Sequence, residues 1–113
     1  MARNYPIIYN FETVSNDYWE GEQFVIDLNN EAMDLTNVGI EVYFKQRKSN
    51  EIVKQLTINN GVVVDDVAGG ILSIGGIVLD IPFGRYDWGI VFTIMNQKKT
   101  YIKGIAVLTK NVD

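Results

Sequence analysis

The sequence has no cysteine and no histidine among its 113 residues. Without cysteine there are no disulfide staples and no thiolate nucleophiles. Without histidine there is no His-dependent triad, and with both missing every common zinc ligand set falls away. Proline is scarce, with Pro6 and Pro82 the only two. No segment is apolar for long enough to span a bilayer, and the opening MARNYPIIYNF lacks the apolar run of a signal peptide. The expectation is a chain neither exported by a secretory route nor held in a membrane. Basic residues are in the minority, 10 Lys and Arg against 14 Asp and Glu, which leaves a net charge of −4. That balance opposes binding to a polyanion such as DNA. The one basic cluster, Lys45-Gln46-Arg47-Lys48, reads as a solvated strand end.

What is present fits an ordinary globular domain: 47% apolar and 21% charged residues. The length corresponds to a single domain over residues 1–113 with one hydrophobic core. Apolar residues recur at a period of two rather than 3.6. Phe24, Ile26 and Leu28 mark a strand over about residues 22–28, and Val38, Ile40, Val42 and Phe44 mark the cleanest strand in the chain. Ile52, Leu56 and Ile58 share a face that Lys54 interrupts, as on an edge strand. Asn59-Asn60-Gly61 is a hairpin-turn signal, because Asn and Gly tolerate positive φ. Gly75-Gly76 breaks the apolar run from Ile71 to Leu79 by a bulge, a kink or a division into two strands. Asn96-Gln97-Lys98-Lys99 joins the last two strands. Glu31 to Leu35 has room for one helical turn at most. Seven or eight short strands, with turn signals about every ten residues, predict an all-β fold, a single antiparallel β-sandwich.

Little in the chain points to catalysis. Asp65 and Asp66 are sequence neighbours with no second acid placed opposite them, unlike the facing carboxyl groups of a glycosidase. Asn16-Asp17-Tyr18-Trp19-Glu20-Gly21-Glu22 is acidic but lacks the ligand spacing of a calcium loop. Gly69-Gly70 and Gly75-Gly76 lack the Lys-Ser/Thr ending of a phosphate loop. The expectation is a non-enzymatic protein with no metal and no cofactor.

The aromatics carry more. In IPFGRYDWGIVF, Tyr86 and Trp88 share a strand face with Ile90 and Phe92, which assigns them to the core. An exposed sugar-binding platform is the alternative. Tyr18 and Trp19 fall in an acidic loop, where aromatics serve as interface anchors. Val62 and Val64 lie in an apolar, weakly charged run that is an aggregation hazard at an open edge and is relieved by pairing with a neighbour. Residues 1–8, with Tyr5 and Ile7, are suited to act as an arm docking on another subunit. Tyr5, Ile7, Tyr18, Trp19, Val62 and Val64 are therefore the expected interface residues.

The order of motifs adds a resemblance. Asp34-Leu35-Thr36-Asn37 precedes the alternating strand, Gly84-Arg85-Tyr86-Asp87-Trp88 opens a later one, and Lys103-Gly104 with Leu108-Thr109 closes the chain. Over about residues 7–109 this succession resembles the immunoglobulin-like domains of structural proteins of tailed bacteriophages. Asn37 departs from the family's usual Gly, and the middle segment is richer in Ile and Gly. The resemblance implies an immunoglobulin-like sandwich with an architectural role, as a capsid auxiliary or decoration protein or a head-fibre component. It also implies a place in the virion, assembled in the host cytoplasm, and partners among other virion proteins, including copies of itself in a symmetric array. The alternatives are a tail or baseplate adaptor and a carbohydrate-binding sandwich module, the latter requiring Trp19 or Trp88 to be exposed.

Overall fold

The structure is a computed structural model and describes residues 6–28 and 30–111. In chain order the strands are β1 (Ile7–Ile8), β2 (Phe11–Val14), β3 (Tyr18–Trp19), β4 (Glu22–Val25), β5 (Asp27–Leu28), β6 (Glu31–Ala32) and β7 (Gly39–Gln46). They continue with β8 (Ile52–Ile58), β9 (Gly61–Asp66), β10 (Ile71–Ile74), β11 (Ile77–Val78), β12 (Gly84–Ile94) and β13 (Gln97–Thr109). No helix occurs among the described residues. The fold is all-β, as the period-two pattern requires.

Nine of the strands form one sheet in the order β1-β13-β12-β7-β8-β9-β10-β4, with β2 also paired to β13. The sheet curls over on itself. β4 and β12 stand far apart in that order, yet the rings of Phe24 and Trp88 lie 6.3 Å from centroid to centroid. Two facing halves result: β1, β2, β13, β12, β7 and β8 on one side, and β9, β10 and β4 on the other. Between them lie Trp88, Phe44, Ile90, Phe92, Leu72 and Val62, all essentially inaccessible.

Several expectations need correction. The sheet is mixed, because β1 and β2 run parallel to β13. The turn at Asn59–Gly61 does not make a hairpin. Asn59 and Gly61 adopt the positive φ anticipated, but β8 and β9 meet over only two residue pairs, in parallel sense, before β9 pairs with β10. The turn carries the chain from one half of the sheet to the other. Strand 22–28 divides at Ile26, whose backbone N–H donates to Gly70 O. Glu31 to Leu35 makes no helical turn; Glu31 and Ala32 pair with β5, while Met33 and Leu35 are buried. The last hairpin turns on Met95 and Asn96, with Gln97 to Lys99 already in β13.

Gly75 and Gly76, both at positive φ, end β10 and separate it from β11. A Cβ on Gly75 would strike the backbone of Gly21, so two main chains cross where side chains cannot fit.

Candidate assembly surfaces

Position within the curled sheet decides which side chains reach a surface. Tyr86 and Trp88 point inward, 4% and 1% exposed. The Tyr86 hydroxyl donates to Pro82 O at 2.6 Å, and Trp88 Nε1–H donates to Tyr9 O at 2.8 Å. Their polar tips are thus satisfied at the rim of the core. Trp19 is also buried, at 4%, stacked on Phe11 with ring centroids 5.0 Å apart. With both tryptophans inside, the exposure required of a carbohydrate-binding platform is missing.

The expected interface residues therefore separate. Trp19 and Val62 belong to the core, and Val64 is half-buried against it, so Trp19 and Val62 offer no free surface. Trp19 is buried because β3 pairs with β11, which turns it over the core and leaves its neighbour Tyr18 outside, 59% exposed beside Val78. Ile7 is half-buried in β1, and Tyr5 lies outside the described residues. The apolar runs are largely accommodated within the chain, because β10 is paired on both sides, by β9 and β4.

The motifs at Asp34–Asn37 and Lys103–Gly104 have local physical causes. Asp34 Oδ1 accepts from both the backbone N–H and the hydroxyl of Thr36, at 2.9 and 2.6 Å, forming a side-chain-closed turn. Asn37 then takes φ 59°, a conformation that Asn tolerates best after Gly. At Gly104, a Cβ would collide with Tyr9 O, the same carbonyl that receives the Trp88 N–H. Asn10 Oδ1 accepts from the Ile105 N–H at 2.8 Å, holding the chain between β1 and β2 against β13.

The acids are occupied with structure. Asp65 accepts from Gln23 Nε2 at 3.1 Å and from the Ser73 hydroxyl, which links three strands on the outer face of β4, β10 and β9. These two hydrogen bonds, Ser73's first, hold its carboxyl below the ordinary Asp range. Asp66 caps the Gly69 N–H at 3.0 Å. Asp80 meets Lys54 Nζ at 2.7 Å, and that contact lowers its pKa. No group of three or more metal-ligating side chains occurs among the described residues.

Charge is distributed unevenly along the chain. Residues 7–14, 39–58 and 84–111 carry nine Lys and Arg against four acids, a net of +5. Residues 15–38 and 59–83 carry nine acids and no Lys or Arg, a net of −9. Together they account for the chain's −4, since Arg3 and Asp113, outside the described residues, cancel. The outer face of β2, β13, β12 and β7 presents Lys45, Arg85 and Lys103 together with Glu12, Glu41 and Asp87, around half-buried Ile105 and Val107. A depression of about 400 Å³ lies there, lined by Ile8, Asn10, Tyr43, Asp87, Lys103 and Ile105 among others. Tyr43 lies across Gly89, and a Cβ there would press on its hydroxyl. Burial, with Asp87 second, raises the Tyr43 pKa. The outer face of β4, β10 and β9 presents Val25, Ile71 and Val63 around Asp65.

No Lys or Arg falls in residues 4–44 or 55–84, an asymmetry legible in the sequence that the overall composition does not reveal. Comparison with known protein families and with curated proteins finds no match to this chain.

Proposed function

We propose that the curled sheet is an immunoglobulin-like sandwich and that the chain is a non-enzymatic structural module of a tailed-bacteriophage virion. Its place there is that of a capsid auxiliary or head-fibre component, held by protein–protein contacts. The observation that carries the fold assignment is the Tyr86 hydroxyl bound to Pro82 O. Immunoglobulin-like sandwiches place a tyrosine near the start of strand F, bonded back to the backbone a few residues upstream. The neighbour relations agree. β4 beside β10 beside β9 has the B-E-D order of one layer, and β7 beside β12 beside β13 has the C-F-G order of the other. Trp88 stands two residues beyond the tyrosine, where antibody domains have a cysteine, and its ring reaches Phe24 on β4. Aromatic packing takes the place of the disulfide.

The virion role rests on the motif succession at Asp34–Asn37, Gly84–Trp88 and Lys103–Thr109, whose turns and close approaches are those described above. The engagement of Asp65, Asp66 and Asp80 in structural hydrogen bonds is in keeping with assembly rather than catalysis. The test is to fractionate purified particles and count copies by quantitative mass spectrometry. Stoichiometric presence at tens to hundreds of copies supports a head component, and about six or twelve indicates the tail. Absence from particles that are otherwise complete overturns the proposal.

A further inference from the structure

The basic stretch Lys45-Gln46-Arg47-Lys48 does not simply end in solvent. β12 begins beside the end of β7, where Tyr86 pairs with Gln46, so Arg85 is brought next to Arg47 from far along the chain. A cleft of about 410 Å³ opens there, within the usual size of ligand clefts, and Arg47, Lys48 and Arg85 line it together with Phe83 and Gly84. We infer that this cleft receives a short acidic segment of a partner protein, one that carries an apolar or aromatic side chain beside its carboxylates. The inference is read from the cleft alone and does not depend on the virion assignment.

Charge within this one cleft calls for an anion. None of its lining residues is acidic. Lys48 and Arg85 make no ion pair among the described residues, and Arg47 meets Asp87 through Nε at 3.6 Å, with both side chains about half exposed. Glu12 borders the adjoining depression that Arg85 also lines, without pairing to it. Glu51 closes the β7–β8 turn through its backbone carbonyl and stays out of the cleft lining. Lys45, the remaining cation of the stretch, sits over the Tyr43 ring at 4.9 Å. Like charges gathered without a counter-ion repel one another, and a carboxylate between them turns repulsion into attraction. Arginine in particular presents a planar fork that matches a carboxylate.

Phe83 supplies the contact that charge cannot. It is 60% exposed, next to Pro82, whose carbonyl accepts from the Tyr86 hydroxyl at 2.6 Å and is thereby fixed to the core. Aromatic rings so placed serve as anchors for an apolar side chain of a partner. Gly84 leaves the cleft open, since a Cβ there would meet no atom within 4 Å. A single nucleotide would also suit cations beside a ring. A longer nucleic acid is disfavoured, because Glu12, Glu41 and Asp87 stand on the outer sheet face beyond the cleft and the whole chain carries −4. A short acidic peptide fits within the cleft and avoids those acids.

Titration of the full chain with an Asp-Asp-Phe-Asp peptide tests this, read by backbone amide NMR shifts and by the anisotropy of a labelled copy of the peptide. The expected result is saturable binding that weakens with salt, with shifts centred on residues 46–48 and 83–86. Lys48→Glu/Arg85→Glu is expected to weaken binding at least about tenfold, and Phe83→Ala at least about threefold. Lys98→Glu/Lys99→Glu, the same charge change in the β12–β13 hairpin, is expected to leave the affinity within about twofold. All these positions are exposed, and melting verifies that each variant folds. An Asn-Asn-Phe-Asn peptide is expected not to bind. Absence of saturable binding to the wild type overturns the inference, as does an equal loss in the Lys98/Lys99 variant. An oligodeoxythymidylate of matched charge that binds as tightly as the peptide also overturns it, making the cleft a nucleic-acid site. Copy number in particles is a separate measurement, so the virion assignment stands or falls independently of this outcome.

Discussion

At the scale of single residues, the Tyr86 hydroxyl and the Trp88 indole show how a core admits polar atoms. Each ring lies inside, and each polar tip ends on a backbone carbonyl at the rim. Tyr86→Phe removes the donor and leaves Pro82 O without that partner. The expected cost is about 1–2 kcal/mol, read as a lower urea midpoint at unchanged slope. Face assignment at this scale was legible from sequence, because alternation alone puts Tyr86, Trp88, Ile90 and Phe92 on one side. Trp19 was not legible. Its neighbours are acidic, and only the pairing of β3 with β11 turns it inward.

Among the elements, the β12–β13 hairpin is the longest pairing in the chain and is closed by an unusual turn. Met95 and Asn96 both have positive φ, 51° and 66°, as a two-residue type I′ turn demands. Asn is well suited to that position and Met is not. Met95→Asn is therefore expected to stabilise the protein by about 0.5–1 kcal/mol in chemical denaturation, since Met95 is 90% exposed and has little packing to lose. The sequence could not locate this turn, because Met is not a turn residue. A bulge lies farther along the hairpin. The register moves from Ile90↔Ile102 to Val91↔Thr100, and the extra residue, Tyr101, stacks on Phe92 at 4.5 Å. The parallel pairing of β1 and β2 with β13 was equally hidden, since it joins residues more than 90 positions apart. Asn59-Asn60-Gly61 shows the limit of turn chemistry: positive φ was foreseen, but the same turn serves a hairpin or a crossing between layers.

For the whole molecule, the titratable groups define a pH range of stability. Asp34, Asp65 and Asp80 have folded pKa values lowered by hydrogen bonds to Thr36, to Ser73 and Gln23, and to Lys54. A lowered carboxyl contributes above its unfolded value, and that contribution disappears as pH falls through the folded value. Tyr9, Tyr43 and Tyr86 are raised, chiefly by burial. Their contribution is present below the unfolded tyrosine value and is lost as pH rises through the folded one. No histidine titrates between these limits. The melting temperature is expected to form a plateau from about pH 5 to about pH 9, falling on both sides. A steep change within that interval, measured by thermal scans at constant ionic strength, would contradict this account.

By itself the sequence determined where the long strands β7, β8 and β12 lie, which of their side chains alternate inward, and that the Asn59–Gly61 turn needs left-handed residues. These are local properties, fixed by a period of two and by the sterics of a single backbone position. Only the tertiary structure decided which strands pair, in which sense, and that Trp19 turns inward over the core. Pairing links distant residues through the shared core, so neither the mixed sheet nor the burial of Trp19 follows from any one segment.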